Sequence, residues 1–406
     1  MDMSYQLATT LVHAGEHKRT ASGFAPTVAP IHTSTTFFYP DAAALDAAFE
    51  CGGDSVVYTR HGNPTVQALE CAVAEAEGGR GAIATGSGMS ALYLALLAAG
   101  TPRGSSEPQP RHILASNDLY GQTQSLLQRF FAAQRVQVTY VDMTDHAAVQ
   151  AALKAHEPDV LLLESISNPL LKVADIETIS KLAHDVDARV VVDATLSTPV
   201  LSQPLAQGAD LVVHSATKYL SGHADATGGI VVARTGMLVD NARRYSQLIG
   251  TVLGPFEARL IHRGLKTLSL RMKQQCINAQ LVAETLQSHQ AIKHVYYPGL
   301  KHHPQHQLAG LMFCGGRFGG MLSFDLMDGD RARAFRFMDA LKLVLPATSL
   351  GDVYSLVTYP PLSSHRDVPE ATRHAFGIGD GLVRLSVGVE DATDILADIT
   401  QSLDQL

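Results

Sequence analysis

Four short aliphatic runs, each followed by polar or turn residues, constrain the fold of this chain more than any other feature. The runs are Ile113–Ala115, Val160–Leu163, Val190–Val192 and Leu211–Val213. Strands that are apolar on both faces are typical of a mostly parallel sheet covered by helices on both sides. Because helical segments alternate with these runs, the sequence predicts an α/β fold with such a sheet at its centre.

The sequence pattern changes twice along the chain and predicts three regions. Residues 1–65 are rich in Pro, Thr and Gly and show little periodicity, so we expect an extended arm that becomes ordered against another surface. Residues 66–255 carry the strand–helix alternation and form the predicted large domain. Residues 256–406 mix helical and strand patterns, which predicts a smaller α+β C-terminal domain.

Candidate helix starts stand at both boundaries. Thr65 could cap the first helix of the large domain. Pro255 is typical of a helix start, and the apolar positions from Leu260 to Ile277 predict one long helix after it. Gly264 is expected to weaken that helix locally.

Composition argues against several classes of protein. The formal net charge of −8 comes without a basic stripe, so we expect no nucleic-acid partner. Met1–Leu11 lacks the parts of a secretory signal, and no apolar run approaches the ~20 residues of a membrane helix. The four cysteines, far apart and without a Cys-x-x-Cys pair, argue against a zinc site and a disulfide framework. We therefore expect a cytoplasmic protein with no membrane partner.

The segment Lys301–His306 (KHHPQH) is rich in histidine. We interpret it as a solvated loop rather than a metal site, because no acidic or sulfur ligand stands near it in the sequence. No metal is predicted.

Chemically reactive side chains follow two of the aliphatic runs. Asp193 comes directly after Val190–Val192, and Ser215, Thr217 and Lys218 follow Leu211–Val213. In open α/β sheets, ligands bind beyond the carboxyl ends of the strands. These residue types would suit a cofactor that carries an aldehyde, a pyridine ring and a phosphate. The lysine would bond to the aldehyde, the acid would pair with the protonated pyridine nitrogen, and the hydroxyls would bind the phosphate. On these residues alone the signal is weak, because an aspartate at a strand end is often a helix cap and a lysine is more often a surface residue.

The segment Thr85–Ala91 (TGSGMSA) leads into the apolar helical run Leu92–Leu97. Glycines at a helix N-terminus expose backbone N–H groups, and the helix dipole also favours an anion there. A tight turn with a serine cap explains the segment as well as a phosphate site does. The segment matches neither a Walker loop nor the dinucleotide fingerprint.

Taken together, the chain resembles the Cys/Met-metabolism (trans-sulfuration) family of fold-type I enzymes that depend on pyridoxal phosphate (PLP). The resemblance covers nearly the whole chain, from Thr10 to Asp391. Its motifs are Tyr58–Thr65 (YTRHGNPT), Glu164–Pro169 (ESISNP), His214–His223 (HSATKYLSGH) and Ser349–Asp352 (SLGD).

The resemblance implies roles for residues that match the family's motifs. Lys218 would bond to the cofactor and move protons, Asp193 would pair with the pyridine nitrogen, and Tyr120 would stack on the ring and assist proton transfer. The implied phosphate ligands are Gly88, Met89, Ser215 and Thr217, with Tyr58 and Arg60 reaching the cofactor of a neighbouring subunit. The implied substrate ligands are Arg384, Ser349 and Asn168. The arm would wrap a neighbouring subunit, and the assembly would be a homotetramer built as a dimer of dimers.

The implied reaction is γ-elimination on methionine, cystathionine or homocysteine, which gives 2-oxobutanoate, ammonia and a thiol. The alternative is γ-replacement on an O-acylhomoserine, and a remote one is a PLP-binding protein without turnover. The chain departs from the family's usual residues at Ala194, Leu196, Gln122 and Thr348. Thr348 cannot pair with a distal ammonium, and Ala194 is expected to remove a hydrogen bond that supports Asp193.

Overall fold

The computed structural model describes residues 5–16, 25–50, 56–100, 109–363, 366, 368 and 370–406. Its strands are β1 (Gly81–Thr85), β2 (His112–Ser116), β3 (Gln137–Val141), β4 (Val160–Glu164), β5 (Arg189–Asp193), β6 (Leu211–Ser215), β7 (Gly229–Ala233), β8 (Ile292–Tyr296), β9 (Met321–Leu326), β10 (Leu345–Pro346), β11 (Leu356–Thr358) and β12 (Leu382–Ser386). Its α-helices are α1 (Leu7–His13), α2 (Ala42–Glu50), α3 (Pro64–Glu77), α4 (Gly88–Gly100), α5 (Gly121–Leu126), α6 (His146–His156), α7 (Ile176–His184), α8 (Thr198–Leu201), α9 (Gly236–Ile249), α10 (Pro255–Gln287), α11 (His306–Met312), α12 (Arg331–Ala340), α13 (Glu370–Ala375) and α14 (Ala392–Leu403).

A seven-stranded sheet forms the centre of the large domain, with the order β1-β7-β6-β5-β4-β2-β3. Strands β2 to β6 pair in parallel, and only β7 runs antiparallel to its neighbours β1 and β6. Every residue of β2 and β4 is buried, as expected for strands covered on both faces. The predicted α/β fold and all four predicted strands are confirmed.

A second sheet lies in the C-terminal part of the chain. It has five strands in the order β10-β11-β12-β9-β8, antiparallel apart from the pair β10–β11. Its core also includes residues of α12 and α14. This matches the predicted α+β character of the region.

Helix α10 is the single long helix that the sequence predicts, and both cores share it. Ile261, Leu265 and Leu268 pack into the core of the large sheet, whereas Val282 and Leu286 pack into the core of the small one. The predicted boundary after residue 255 therefore falls at the start of an element that belongs to both sides.

Part of the predicted arm is helical and packs within its own chain. Helix α1 contacts α3 and α10, and Leu11 and Ala14 are buried in the core of the large sheet. Within the predicted arm, α1 and α2 are therefore helical rather than extended, and the contact of the arm with a neighbouring subunit stays a prediction. The first helix of the large domain begins at Pro64, and its cap is Asn63 rather than Thr65, because the Asn63 side chain accepts the N–H of Thr65 at 2.9 Å.

The histidine-rich segment is less solvated than predicted. His303 is only 7% exposed, and its Nδ1 accepts the N–H of Gln305 at 3.2 Å. The His306 ring stacks on Phe318, with ring centroids 5.3 Å apart. The interpretation of this segment as a solvated loop is wrong for these two residues.

No helix among the described residues is both long and apolar enough to span a bilayer. No disulfide joins the cysteines that the structure describes, Cys71, Cys276 and Cys314, and Cys51 lies outside the described residues.

Candidate active site

Three neighbouring parallel strands end at one edge of the large sheet, and a cavity of about 560 Å³ opens there. Strands β4, β5 and β6 end in Glu164, Asp193 and Ser215, and all three residues line the cavity. The small domain closes the other side with Thr348, Leu350 and Arg384. Nine of the predicted site residues line this cavity: Lys218, Asp193, Tyr120, Gly88, Met89, Ser215, Thr217, Arg384 and Asn168.

Lys218 lies in the turn after β6, and its amine faces the small domain. The Nζ atom donates to the Ser349 hydroxyl at 3.1 Å. Burial lowers the pKa of Lys218, the nearby charge of Arg384 lowers it further, and Asp352 opposes the shift. The amine is therefore easier to deprotonate than a solvated lysine, as a nucleophilic lysine requires.

Helix α10 holds the backbone that follows Lys218. Arg271 is buried, and its guanidinium donates to the carbonyls of Tyr219 at 2.8 Å and of Gly264 at 2.9 Å. A Cβ on Gly264 would stand 2.2 Å from the Ser221 carbonyl oxygen, so only glycine permits this approach. The glycine that the sequence marks as a weak point is thus the contact point between α10 and the lysine segment.

Asp193 is held in place by Thr195. Its Oδ1 accepts the N–H of Thr195 at 2.9 Å, and the Thr195 hydroxyl accepts the N–H of Ser215 at 2.8 Å. Burial raises the pKa of Asp193, and hydrogen bonds from Thr195 oppose that shift. Ala194 is fully buried in the core, whereas Leu196 lines the cavity. The departure at 196 therefore changes the cavity wall directly.

Arg384 lies on β12 and is 4% exposed. Its Nη1 donates to Asn168 Oδ1 and its Nη2 to the Ser349 carbonyl, each at 3.1 Å, while its buried Nε has no partner among the described residues. Burial lowers the pKa of Arg384 to about 10. A buried guanidinium with an unfilled donor is suited to bind a carboxylate.

The N-terminus of α4 points into the cavity beside β6. Ser87, Gly88 and Met89 line the wall, and a Cβ on Gly88 would stand 2.7 Å from that of Ser215. The Thr217 hydroxyl donates to the Gly228 carbonyl at 3.2 Å and accepts its N–H at 3.0 Å. Exposed N–H groups at a helix start fit a phosphate, and the missing side chain at Gly88 lets α4 lie close against Ser215 at the end of β6.

Glu164 was not predicted as a site residue, although it lines the cavity. Its Oε1 accepts the N–H of Tyr120, the residue before α5, at 2.6 Å. The available signal was the same as for Asp193: an acid that directly follows a buried aliphatic strand. Thr227 and Arg366 also line the cavity, and no pattern in the sequence pointed to them.

Tyr58 and Arg60 do not reach the cavity of their own chain. Arg60 Nη1 donates to the Gln247 carbonyl at 2.7 Å, and its guanidinium lies 5.6 Å from the Tyr58 ring centroid. Tyr58 is 43% exposed. Gln122 is likewise exposed and outside the cavity, whereas Thr348 lines it.

These features fit PLP. The chain has an amine with a lowered pKa after β6 and a buried acid at the end of the neighbouring strand β5. It also has backbone N–H groups that could bind an anion at the start of α4 and a guanidinium that could bind a substrate carboxylate. Lys218, Asp193 and the start of α4 are the groups that could hold the cofactor.

Comparisons with known proteins agree with this geometry. The family model described as "Cys/Met metabolism PLP-dependent enzyme" matches residues 8–404. An L-methionine gamma-lyase of Fusobacterium nucleatum subsp. polymorphum is 40% identical over 99% of each chain. A cystathionine beta-lyase of Lactococcus lactis subsp. cremoris (strain MG1363) is 41% identical over 86% of this chain and 88% of its own. A structure of cystathionine gamma synthase from Xanthomonas oryzae pv. oryzae with cystathionine superposes with a TM-score of 0.91, at 37% identity over 99% of each chain.

Proposed function

Since the chain belongs to the Cys/Met-metabolism family of PLP-dependent enzymes, we propose that it catalyses γ-elimination on a sulfur-containing amino acid. Methionine, cystathionine and homocysteine are the candidate substrates, and 2-oxobutanoate, ammonia and a thiol are the products. The family is one of carbon–sulfur lyases and related synthases, so a binding protein without turnover is no longer a candidate.

One observation carries the proposal. The Lys218 amine has a lowered pKa and lies 3.1 Å from the Ser349 hydroxyl, in a cavity that Asp193 and Arg384 also line. PLP, when bound, supplies an electron-accepting ring. The residues of the chain must bind the substrate, hold the cofactor's charge and move protons.

Each residue then has a separate task. Arg384, held by Asn168 and Ser349, binds the substrate carboxylate. Lys218 would hold the cofactor through its amine and would carry protons between the substrate carbons. Asp193 keeps the pyridine nitrogen protonated. Tyr120, which lines the cavity, would lie against the cofactor ring and assist proton transfer near the leaving group.

The phosphate contacts come from two chains. Gly88 and Met89 offer backbone N–H groups, and Ser215 and Thr217 offer hydroxyls. Tyr58 and Arg60 lie outside their own chain's cavity, which supports a contact with a neighbouring subunit's phosphate. A homotetramer of two such dimers in the cytoplasm completes the proposal.

A panel of substrates tests the reaction. The purified enzyme is incubated with methionine, homocysteine, cystathionine and O-acylhomoserines, each with and without an added thiol. Release of 2-oxobutanoate without the thiol supports elimination, and a new thioether with it supports replacement. Failure to form a keto acid from any sulfur amino acid would contradict the proposal.

Lys218→Ala tests the assignment of the lysine. We expect turnover to fall by at least about a thousandfold, because the variant loses both the covalent contact and the proton carrier. Far-UV circular dichroism is expected to stay that of the parent, which shows that the fold persists. Full activity in this variant would exclude the mechanism.

The cavity wall also favours a second candidate, γ-replacement on an O-acylhomoserine. Thr348 has no charge to pair with a distal ammonium, whereas Arg366 brings a permanent positive charge to the wall. Among the described residues, none pairs with this guanidinium. An acyl group that ends in a carboxylate would complement it.

Arg366→Ala tests this second candidate with two matched substrates. We expect the KM for O-succinylhomoserine to rise about two- to fivefold, the size of an exposed charge pair, and the KM for O-acetylhomoserine to stay unchanged. Arg366→Lys keeps the charge and is the control. Equal KM changes for both substrates would mean that Arg366 does not read the charge of the acyl group.

A further inference from the structure

Glu164 and Asp193 are two carboxyl groups side by side at the edge of the large sheet. They are register partners on the parallel strands β4 and β5, and both line the cavity. Asp193 has an assigned task at the pyridine nitrogen. Glu164 has none, although it is only 9% exposed.

Glu164 accepts backbone N–H groups of Tyr120 and of Asn168, and the contact with Tyr120 is the one distant in sequence. Its Oε1 accepts the Tyr120 N–H at 2.6 Å, across 44 residues of sequence. Tyr120 is the N-cap of α5, and its side chain makes no capping hydrogen bond to that helix. Tyr120 is 37% exposed, so packing alone does not fix its position.

We propose that Glu164 is a positioning residue that holds Tyr120 at the cavity wall by accepting its backbone N–H. The inference rests on the proposed function, in which Tyr120 lies against the cofactor ring. It assigns Glu164 no contact with the substrate and no proton transfer of its own. Glu164 acts as a hydrogen-bond acceptor for the Tyr120 N–H, and a neutral carboxyl or amide oxygen accepts this bond as well as a charged one.

The electrostatics agree with a neutral acceptor. Burial raises the pKa of Glu164 well above its usual value, and the adjacent charge of Asp193 raises it further. The N–H groups of Tyr120 and Asn168 oppose the shift. The carboxyl group of Glu164 therefore ionises less readily than that of a solvated glutamate, which agrees with a role as acceptor that needs no charge.

The test compares Glu164→Ala with Glu164→Gln. Alanine removes the acceptor, whereas glutamine keeps an oxygen at the same distance without a carboxyl group. We expect alanine to lower kcat about 10- to 100-fold, the cost of a misplaced reactive group, with a smaller change in KM. Glutamine is expected to recover most of that loss.

Hydrogen–deuterium exchange of the cofactor-free protein gives a readout that does not depend on activity. Uptake in the peptide that spans residues 117–126 is expected to rise in Glu164→Ala and to return toward the parent level in Glu164→Gln. If glutamine loses as much kcat as alanine, Glu164 acts through its charge and the proposal is wrong. Unchanged uptake in the alanine variant would also overturn it.

Asp398→Ala is the control that distinguishes a loss of positioning at Tyr120 from a general loss of stability. Asp398 is a buried carboxylate that accepts the N–H groups of Lys342, Leu343 and Val344, and it lies outside the cavity. We expect a lower melting temperature with kcat retained once the protein is folded. A loss of kcat as large as that of Glu164→Ala would mean that destabilisation alone explains both variants. The parent enzyme's turnover, measured first, distinguishes failure of this inference from failure of the proposed function.

Discussion

Burial shifts the pKa of single ionisable residues in this protein, and His303 is the clearest case outside the cavity. Its ring is 7% exposed, and burial followed by the charges of His302, His294 and His306 lowers its pKa to about 4. The sequence showed a polar, histidine-rich segment and therefore predicted solvation. It could not show that tertiary packing buries this ring, because burial is set by elements distant in the chain.

The lowered pKa of His303 predicts a pH dependence of stability. The unfolded chain protonates this histidine near pH 6.5 and the folded chain only near pH 4, so the unfolded state binds more protons between these values. The contribution of His303 to the free energy of unfolding is therefore fully present above about pH 6.5. It is lost as the pH drops toward 4, which lowers the free energy of unfolding by roughly 1–3 kcal/mol.

His303→Gln is expected to flatten this part of the pH profile. Denaturant unfolding of the parent and the variant between pH 4 and pH 7 measures the difference. An unchanged slope in the variant would mean that other groups account for the acid sensitivity.

At the scale of elements, α10 shows where local and tertiary preferences oppose each other. Gly264 weakens a helix by about 1 kcal/mol relative to alanine, yet the close approach to Ser221 requires it. In helix α1, by contrast, tertiary packing makes up for a weak local preference. Its seven residues are too short to be stable alone, so packing of Leu11 decides its structure and the sequence pattern did not reveal it.

Gly264→Ala is expected to destabilise the protein by roughly 1–3 kcal/mol, because the new methyl group overlaps the Ser221 carbonyl. It should also lower kcat, since the displaced backbone leads back to Lys218. Gly310→Ala in α11 is the matched control. A Cβ there meets nothing within 4 Å, so we expect stability to stay equal or to rise by up to about 1 kcal/mol. Equal stability for both variants would contradict the packing argument.

At the scale of the whole molecule, the sequence predicted the layers and most of the site. Aliphatic strands and the acid and lysine that follow them located Asp193 and Lys218, because strand ends of a parallel sheet meet at one edge. It did not predict Glu164 or Arg366. Their importance depends on which side chains face the cavity, and a single sequence carries no such directional information for a loop or a strand end.

Because Arg60 lies outside the cavity of its own chain, we expect cofactor binding to depend on assembly of the subunits. Purified protein is expected to have about four times the 43.4 kDa chain mass by light scattering. Arg60→Ala should weaken PLP retention roughly 10- to 100-fold, the loss of one charge-assisted hydrogen bond. Arg336→Ala, which removes an exposed arginine of α12, should leave retention unchanged. A monomer that retains PLP normally would refute the shared site.

Helix α10 has a consequence for chimeras between this chain and its relatives. Because one half of the helix packs under each sheet, a crossover at residue 255 would pair a helix from one parent with a lysine segment from the other. The contacts of Gly264 and Arg271 would then join surfaces that did not evolve together. A crossover after Gln287 keeps them intact but separates Val282 and Leu286 from the small sheet, so recombinant enzymes divided at either end of α10 should fold only where the parents match at the contacts that are split.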